Sequence, residues 1–132
     1  MTPILLSDGV TTIELPGDLF WSDEYGWAGA TQSFTRSVSG ALIIQSAAKQ
    51  AGRPITLEPP QNGAWMTRAD LALAQAWADT PDKQMTLTLQ GGNYSVMFRQ
   101  DGGLPVEAKP VMFFADPQPD HYVTATFRFI TI

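Results

Sequence analysis

Apolar residues in this chain fall mostly at every second position, in short runs that Gly and Pro interrupt. Met85, Leu87 and Leu89 alternate with Thr86, Thr88 and Gln90, as on a half-buried strand. Tyr94, Val96 and Phe98 alternate with Ser95, Met97 and Arg99 directly afterwards. The intervening Gln90-Gly91-Gly92-Asn93 tolerates positive φ, so the two runs predict a hairpin. The last run places Val123, Ala125, Phe127, Phe129 and Thr131 on one side and Tyr122, Thr124, Thr126, Arg128 and Ile130 on the other. The first set is expected to face the core, because a one-residue slip would expose both phenylalanines.

Further β-branched and aromatic runs predict strands at Met1 to Leu6, Thr11 to Leu15, Thr31 to Arg36, Ala41 to Gln45, Ile55 to Glu58 and Val111 to Phe114. Turn-forming clusters separate them at 7–9, 16–18, 52–54, 59–63, 91–93, 101–103 and 116–119. One segment breaks this rhythm. Thr67 to Ala78 is dense in Ala and Leu, opens with Thr67 three residues before Asp70, and is stopped by Thr80-Pro81-Asp82. It predicts one helix over about 67–78, docking on the sheet through Ala69, Leu73, Ala76 and Trp77, with Leu71, Ala74 and Ala78 to another side. The expected fold is therefore mainly β, a sandwich or barrel with one flanking helix, in a single domain over 1–132.

Composition adds a partner to this picture. Apolar residues make up 44% of the chain and charged residues only 16%, against roughly 25% in ordinary globular proteins. Part of the surface is expected to be covered by another subunit. Eight Lys and Arg against thirteen Asp and Glu give a net charge of −5, which repels phosphate backbones and anionic lipid. With no cysteine, disulfides, thiolate metal sites and cysteine nucleophiles are excluded. The N-terminus lacks a basic region and reaches Asp8 before a hydrophobic segment develops, so it is not read as a secretory signal. No run approaches the length needed to span a bilayer, and a soluble protein made in the cytoplasm is expected.

Candidate chemistry is sparse. Asp116, Asp120 and His121 could in principle bind a metal, but a lone histidine among prolines reads more simply as a rigid loop. Asp23 and Glu24 are adjacent, so on an extended segment they point apart and are expected to be solvated. None of the serines at 7, 22, 33, 37, 39, 46 and 95 lies in a Gly-x-Ser-x-Gly elbow, and the glycine pairs lack a phosphate-loop lysine. No catalytic residue, metal or cofactor is expected. More informative is Phe20-Trp21-Ser22-Asp23-Glu24-Tyr25-Gly26-Trp27, where aromatics crowd a stretch with no regular period. Such a segment can stack on sugar rings, plug the end of a β-sandwich or anchor a subunit interface.

Three segments carry a resemblance: Leu19 to Trp27, Ser39 to Gln45, and Ala51-Gly52-Arg53-Pro54-Ile55-Thr56-Leu57-Glu58, the last being the sharpest. With the Trp-x-Thr-Arg-Ala helix start at Trp65 to Ala69 and the hairpin ending in Met97-Phe98-Arg99, the chain from about 15 to 132 resembles tail proteins of long-tailed bacteriophages and prophages. The resemblance implies the tail-tube-like fold, an antiparallel β-sandwich or split barrel with a flanking helix, assembled in rings that are commonly sixfold. Within that group the chain looks most like a distal tail or tail-tip ring subunit. It implies a structural protein of the virion tail, assembled in the host cytoplasm. Its partners would be copies of itself, the tail tube protein, the tape measure and baseplate hub proteins, with DNA passing through the lumen unbound. Asp8, Glu14, Asp18, Asp101 or Glu107 would then face that channel. Trp21, Tyr25 and Trp27, together with Pro59, Pro60 and Trp65, are the expected contact residues. The alternative is a carbohydrate-binding β-sandwich module that uses the aromatic loop 20–27.

Overall fold

The computed structural model describes residues 4–49, 51–61, 63–101, 103–112 and 115–132. The predicted strand over Met1 to Leu6 is described from Ile4. Among the described residues eleven strands and one helix follow one another: β1 (Ile4–Ser7), β2 (Thr12–Leu15), β3 (Phe20–Trp21), β4 (Ala30–Arg36), β5 (Leu42–Ala48), β6 (Pro54–Glu58), β7 (Trp65–Thr67), α1 (Arg68–Ala78), β8 (Met85–Leu89), β9 (Gly92–Phe98), β10 (Val106–Pro110) and β11 (Tyr122–Thr131). The protein is mainly β with antiparallel pairing, as the alternation of its sequence demands.

Nine strands form one sheet, with β2-β1-β8-β9-β11-β6-β3 in that order and β10 and β7 joined to β11 off this path. The long β11 organises it. Its first half lies between β10 and β7, where Thr124 faces both Lys109 and Trp65. Its second half lies between β9 and β6, where Phe129 faces both Phe98 and Ile55. Val123, Ala125, Phe127 and Phe129 are buried along its inner face, as predicted, and Phe129 stacks on Phe98 at 4.9 Å between centroids. Leu6, Ile13, Leu15, Leu57, Leu87 and Val96 complete the core from the other strands.

The predicted hairpin forms between β8 and β9. Gln90 (φ 52°) and Gly91 (φ 78°) make a two-residue reversal with both central residues at positive φ, the backbone twist that suits a tight hairpin. Gly63 (φ 151°) meets a second steric limit: a Cβ there would lie 2.5 Å from Asp18 Oδ2, the acceptor for the Ala64 N–H at 2.7 Å.

Helix α1 begins where predicted. Thr67 is extended and its Oγ1 accepts from the Asp70 N–H at 3.4 Å, which caps the first turn. The face it buries differs from expectation. Leu71, Ala74, Trp77 and Ala78 are buried, Leu73 only partly, while Ala69 and Ala76 are exposed. Alanines carry too little apolar area to choose a face, so the choice falls to the larger Leu71 and to the direction in which β7 feeds the helix. The strand predicted over Val111 to Phe114 is also displaced. It lies at Val106–Pro110, while Val111 and Met112 form a bend and 113–114 fall outside the described residues. Register with β11 decides this, since Val106 opposite Phe127 puts an apolar residue on the core face.

The turn between β1 and β2 is held electrostatically. The N–H groups of Thr11 and Val10 point at the Asp8 carboxylate, Lys83 Nζ lies 3.2 Å away, and together they lower its pKa from 3.8 to about 2. The folded chain thus binds this proton more weakly than the unfolded chain. The contribution is whole above pH 3.8 and is lost as pH falls through about 2. Urea midpoints measured from about pH 5 to about pH 2 should therefore fall less steeply in Asp8→Asn than in the wild type. Phe127→Ala should cost about 3–5 kcal/mol in urea unfolding, because it leaves a cavity at a fully buried position of the core.

Candidate functional site

One element takes no part in that core. Among the described residues strands β4 and β5 pair only with each other, and every residue in these two seven-residue strands is exposed. Thr31, Phe34, Thr35, Ile43 and Ile44 supply the hairpin with β-branched and aromatic residues that favour extended backbone. Its tip closes on itself. Ser37 N–H donates to Ala41 O at 2.8 Å, Ala41 N–H to Ser37 Oγ at 3.1 Å, and Gly40 N–H to Ser37 O at 2.9 Å. The Arg36 guanidinium caps the Gly40 carbonyl at 3.1 Å.

Pairing sorts the hairpin's side chains into two unlike faces. Phe34 lies opposite Ile44 and Arg36 opposite Leu42, with Ala30 opposite Ala48 on the same side. This is the more apolar face, although the Gln32–Ser46 pair interrupts it, and Phe34 is 59% exposed on it. The other face carries Thr31, Ser33, Thr35, Gln45 and Ala47, together with Ile43. Arg36 is the single charged residue between Gly29 and Ala48. A lone two-stranded hairpin is marginal in water, and its unpaired edges with uncovered apolar residues invite another strand or surface. Leu42, Ile43 and Ile44 are consecutive, so period-two alternation fails in β5. That failure is the sequence signal of an element without one committed inner face.

The predicted contact residues fall in three separate places. Trp21 is only 8% exposed. The Arg53 guanidinium lies over its ring at 4.3 Å, and Tyr94 meets it edge-on at 5.8 Å. Trp27 is half-buried between Arg53 at 5.8 Å and Lys49 at 5.2 Å. Tyr25 is 92% exposed, and its phenol pKa is pushed up by a hydrogen bond to the Glu24 carboxylate and by that group's charge. Pro59 and Pro60 rim a cleft of about 690 Å³ between Gln75 of α1 and strands β10 and β11. Trp65 is 54% exposed and rests against Tyr122, ring centroids 6.0 Å apart.

Arg53 and Asp23 explain why the aromatic loop turns inward. Thr56 donates to Asp23 through both its N–H and its Oγ1, each at 2.9 Å, so Asp23 is a clamp on β6 and not the solvated carboxylate expected. Arg53 Nη2 donates to Glu24 O at 2.8 Å. The Gly52-to-Glu58 motif thus has a structural role at nearly every position: Ile55 and Leu57 fill the core, Arg53 covers Trp21 and Thr56 anchors Asp23. Trp21 Nε1 and Arg53 Nε are buried here without a hydrogen-bond partner among the described residues.

The remaining candidates are occupied locally. Gln118 N–H donates to His121 Nδ1 at 3.1 Å, and Gln118 Nε2 to Asp116 Oδ2 at 3.2 Å, which folds the 116–121 loop on itself. Among the described residues no three His, Asp or Glu side chains gather as a metal site. No described helix is long and apolar enough to cross a membrane. Of the acids expected at a channel, Asp8 pairs with Lys83, Asp101 with Arg99 and Glu107 with Arg128, while Asp18 holds the Ala64 N–H. Comparison with family models, with curated proteins and with solved structures finds no match.

Asp23→Ala removes both clamp bonds at once and should destabilise the chain by about 1–3 kcal/mol in urea unfolding. Asp116→Ala, which touches only its own surface loop, should stay within about 0.5 kcal/mol of the wild type.

Proposed function

We propose that this protein is a structural subunit of the tail of a long-tailed bacteriophage or prophage. It forms a ring, sixfold in the commonest arrangement, that joins the tail tube to the tail tip around the DNA channel. The observation that carries this reading is the β4–β5 hairpin, an arm exposed throughout, whose strands pair with no other described strand and whose more apolar face carries Phe34, Leu42 and Ile44. A chain that kept this arm bare would leave Phe34, Leu42 and Ile44 in water and two strand edges unpaired. A neighbouring subunit would remove both costs.

The β-sandwich or split-barrel, tail-tube-like assignment belongs to the same proposal. It is supported by a nine-stranded antiparallel sheet packed with the one helix among the described residues, from which a hairpin stands apart. The mechanism is mechanical. Arms join neighbours around the ring, and the two ring faces stack on the tail tube protein and on baseplate hub proteins. With the apolar face covered, the Thr31, Ser33, Thr35 and Gln45 face would offer passing DNA hydroxyls and an amide but no cation. Low attraction there would come from missing positive charge more than from an acidic lining, since most of the acids considered are engaged within the fold. The carbohydrate-binding alternative loses one of its three stacking plates, because Trp21 lies under Arg53, while Tyr25 stays exposed.

Native mass spectrometry with negative-stain microscopy over a concentration series tests the reading. Wild-type protein should give closed rings, and a variant with residues 30–48 replaced by a short Gly-Ser linker should stay monomeric with the same thermal midpoint. Wild-type monomers at every concentration would overturn self-assembly through the arm.

A further inference from the structure

The arm needs a receptor, and among the described residues two hollows of the body differ in chemistry. The larger, beside Pro59 and Pro60, is lined by Gln61, Gln75, Glu107 and Lys109 among others, so it presents both charges and mixed polarity. The smaller, about 290 Å³, lies where β2 runs into the following turn against β7 and the start of α1. Its apolar wall is Trp65 and Tyr122, both more than half exposed and packed ring against ring. Its charged wall is Glu14 and Asp70, and no basic residue lines it.

We propose that this second groove receives the apolar face of the arm from another copy of the same chain. Phe34, Leu42 and Ile44 seat against Trp65 and Tyr122, and Arg36 meets Glu14 and Asp70.

Two observations carry the match. The first is charge: Arg36 is the arm's single charge and lies on its apolar face, while the groove's charges are both negative. The second is the type of residue left bare. Trp, Tyr and Arg dominate the energetics of protein interfaces, and here an exposed Trp–Tyr pair stands on one surface and an exposed Arg among aliphatics on the other. Guanidinium also stacks on aromatic faces, as Arg53 does on Trp21 within the chain, so Arg36 can use both walls of the groove.

The geometry of such a contact is directional. Arm and groove are different surfaces of one chain, so each subunit gives one and takes one, and the contact repeats head to tail until it closes or runs on as a filament. The inference rests on the ring reading above in needing a second copy, but it names a surface that reading leaves open.

The chain has no cysteine, which permits a clean test. Two single-cysteine variants, Leu42→Cys and Tyr122→Cys, are mixed and oxidised, after native mass spectrometry has established the oligomeric state of the wild type. The expected product is a mixed disulfide dimer, with little of either homodimer. Adding Arg36→Glu to the first variant should lower its yield about tenfold, and adding Glu14→Arg and Asp70→Arg to the second should restore it. Wild-type rings without the mixed disulfide, or a yield indifferent to the charge changes, would overturn this docking surface and leave the ring reading standing. Wild-type monomers throughout would overturn both.

Discussion

Four strands take their register from the inner face of β11, and most of the body depends on that constraint. Val123, Ala125, Phe127 and Phe129 must all point inward, so β10, β7, β6 and β9 each have one way of pairing that also buries their own apolar residues. Phe127 satisfies Val106 on one side and Leu57 on the other; Phe129 does the same for Phe98 and Ile55. A strand that is central along its whole length ties the two ends of the sheet into one core. The helix then closes that core with Leu71, Ala74 and Trp77.

Against this core sits a smaller polar node that fixes the aromatic loop. Arg53 stacks on Trp21 and holds the Glu24 carbonyl, and Asp23 takes both donors of Thr56. Each contact ties a residue of the 21–24 turn to the β6 edge, so the loop's direction is decided by hydrogen bonds more than by its apolar content. This node also separates Trp21 from the surface, leaving Tyr25 as the aromatic of that loop that meets solvent most fully.

Most large apolar residues of the sheet are used by folding, and several elsewhere are not. Those at alternating positions in the sheet are consumed by folding. Phe34, Leu42 and Ile44 on the arm, and Trp65 and Tyr122 on the body, remain bare after folding is complete. A low share of charged residues fits this division, because surface intended for burial against a neighbour needs little charge. The proposed assembly reads those two bare sets as complementary halves of one contact.

Alternation alone determined the β8–β9 hairpin, the inner face of β11 and the mainly β class, because side chains on a strand have only two directions and apolar residues reveal which is inward. The helix was equally legible from its Ala and Leu content and its Thr67 cap. Its buried face was not, since several alanines are compatible with more than one stripe and the sheet's position chooses among them. The β10 strand was misplaced for a related reason: Val106 to Pro110 has one large apolar residue and takes its strand from register with β11. Trp21, Tyr25 and Trp27 were legible as a cluster, but the covering of Trp21 and the half-burial of Trp27 came from Arg53, just ahead of β6 and distant in sequence. That β4 and β5 form an arm was decided only in three dimensions. A run such as Leu42-Ile43-Ile44 reads as strand whether or not anything covers it, and burial belongs to the whole fold, not to the segment.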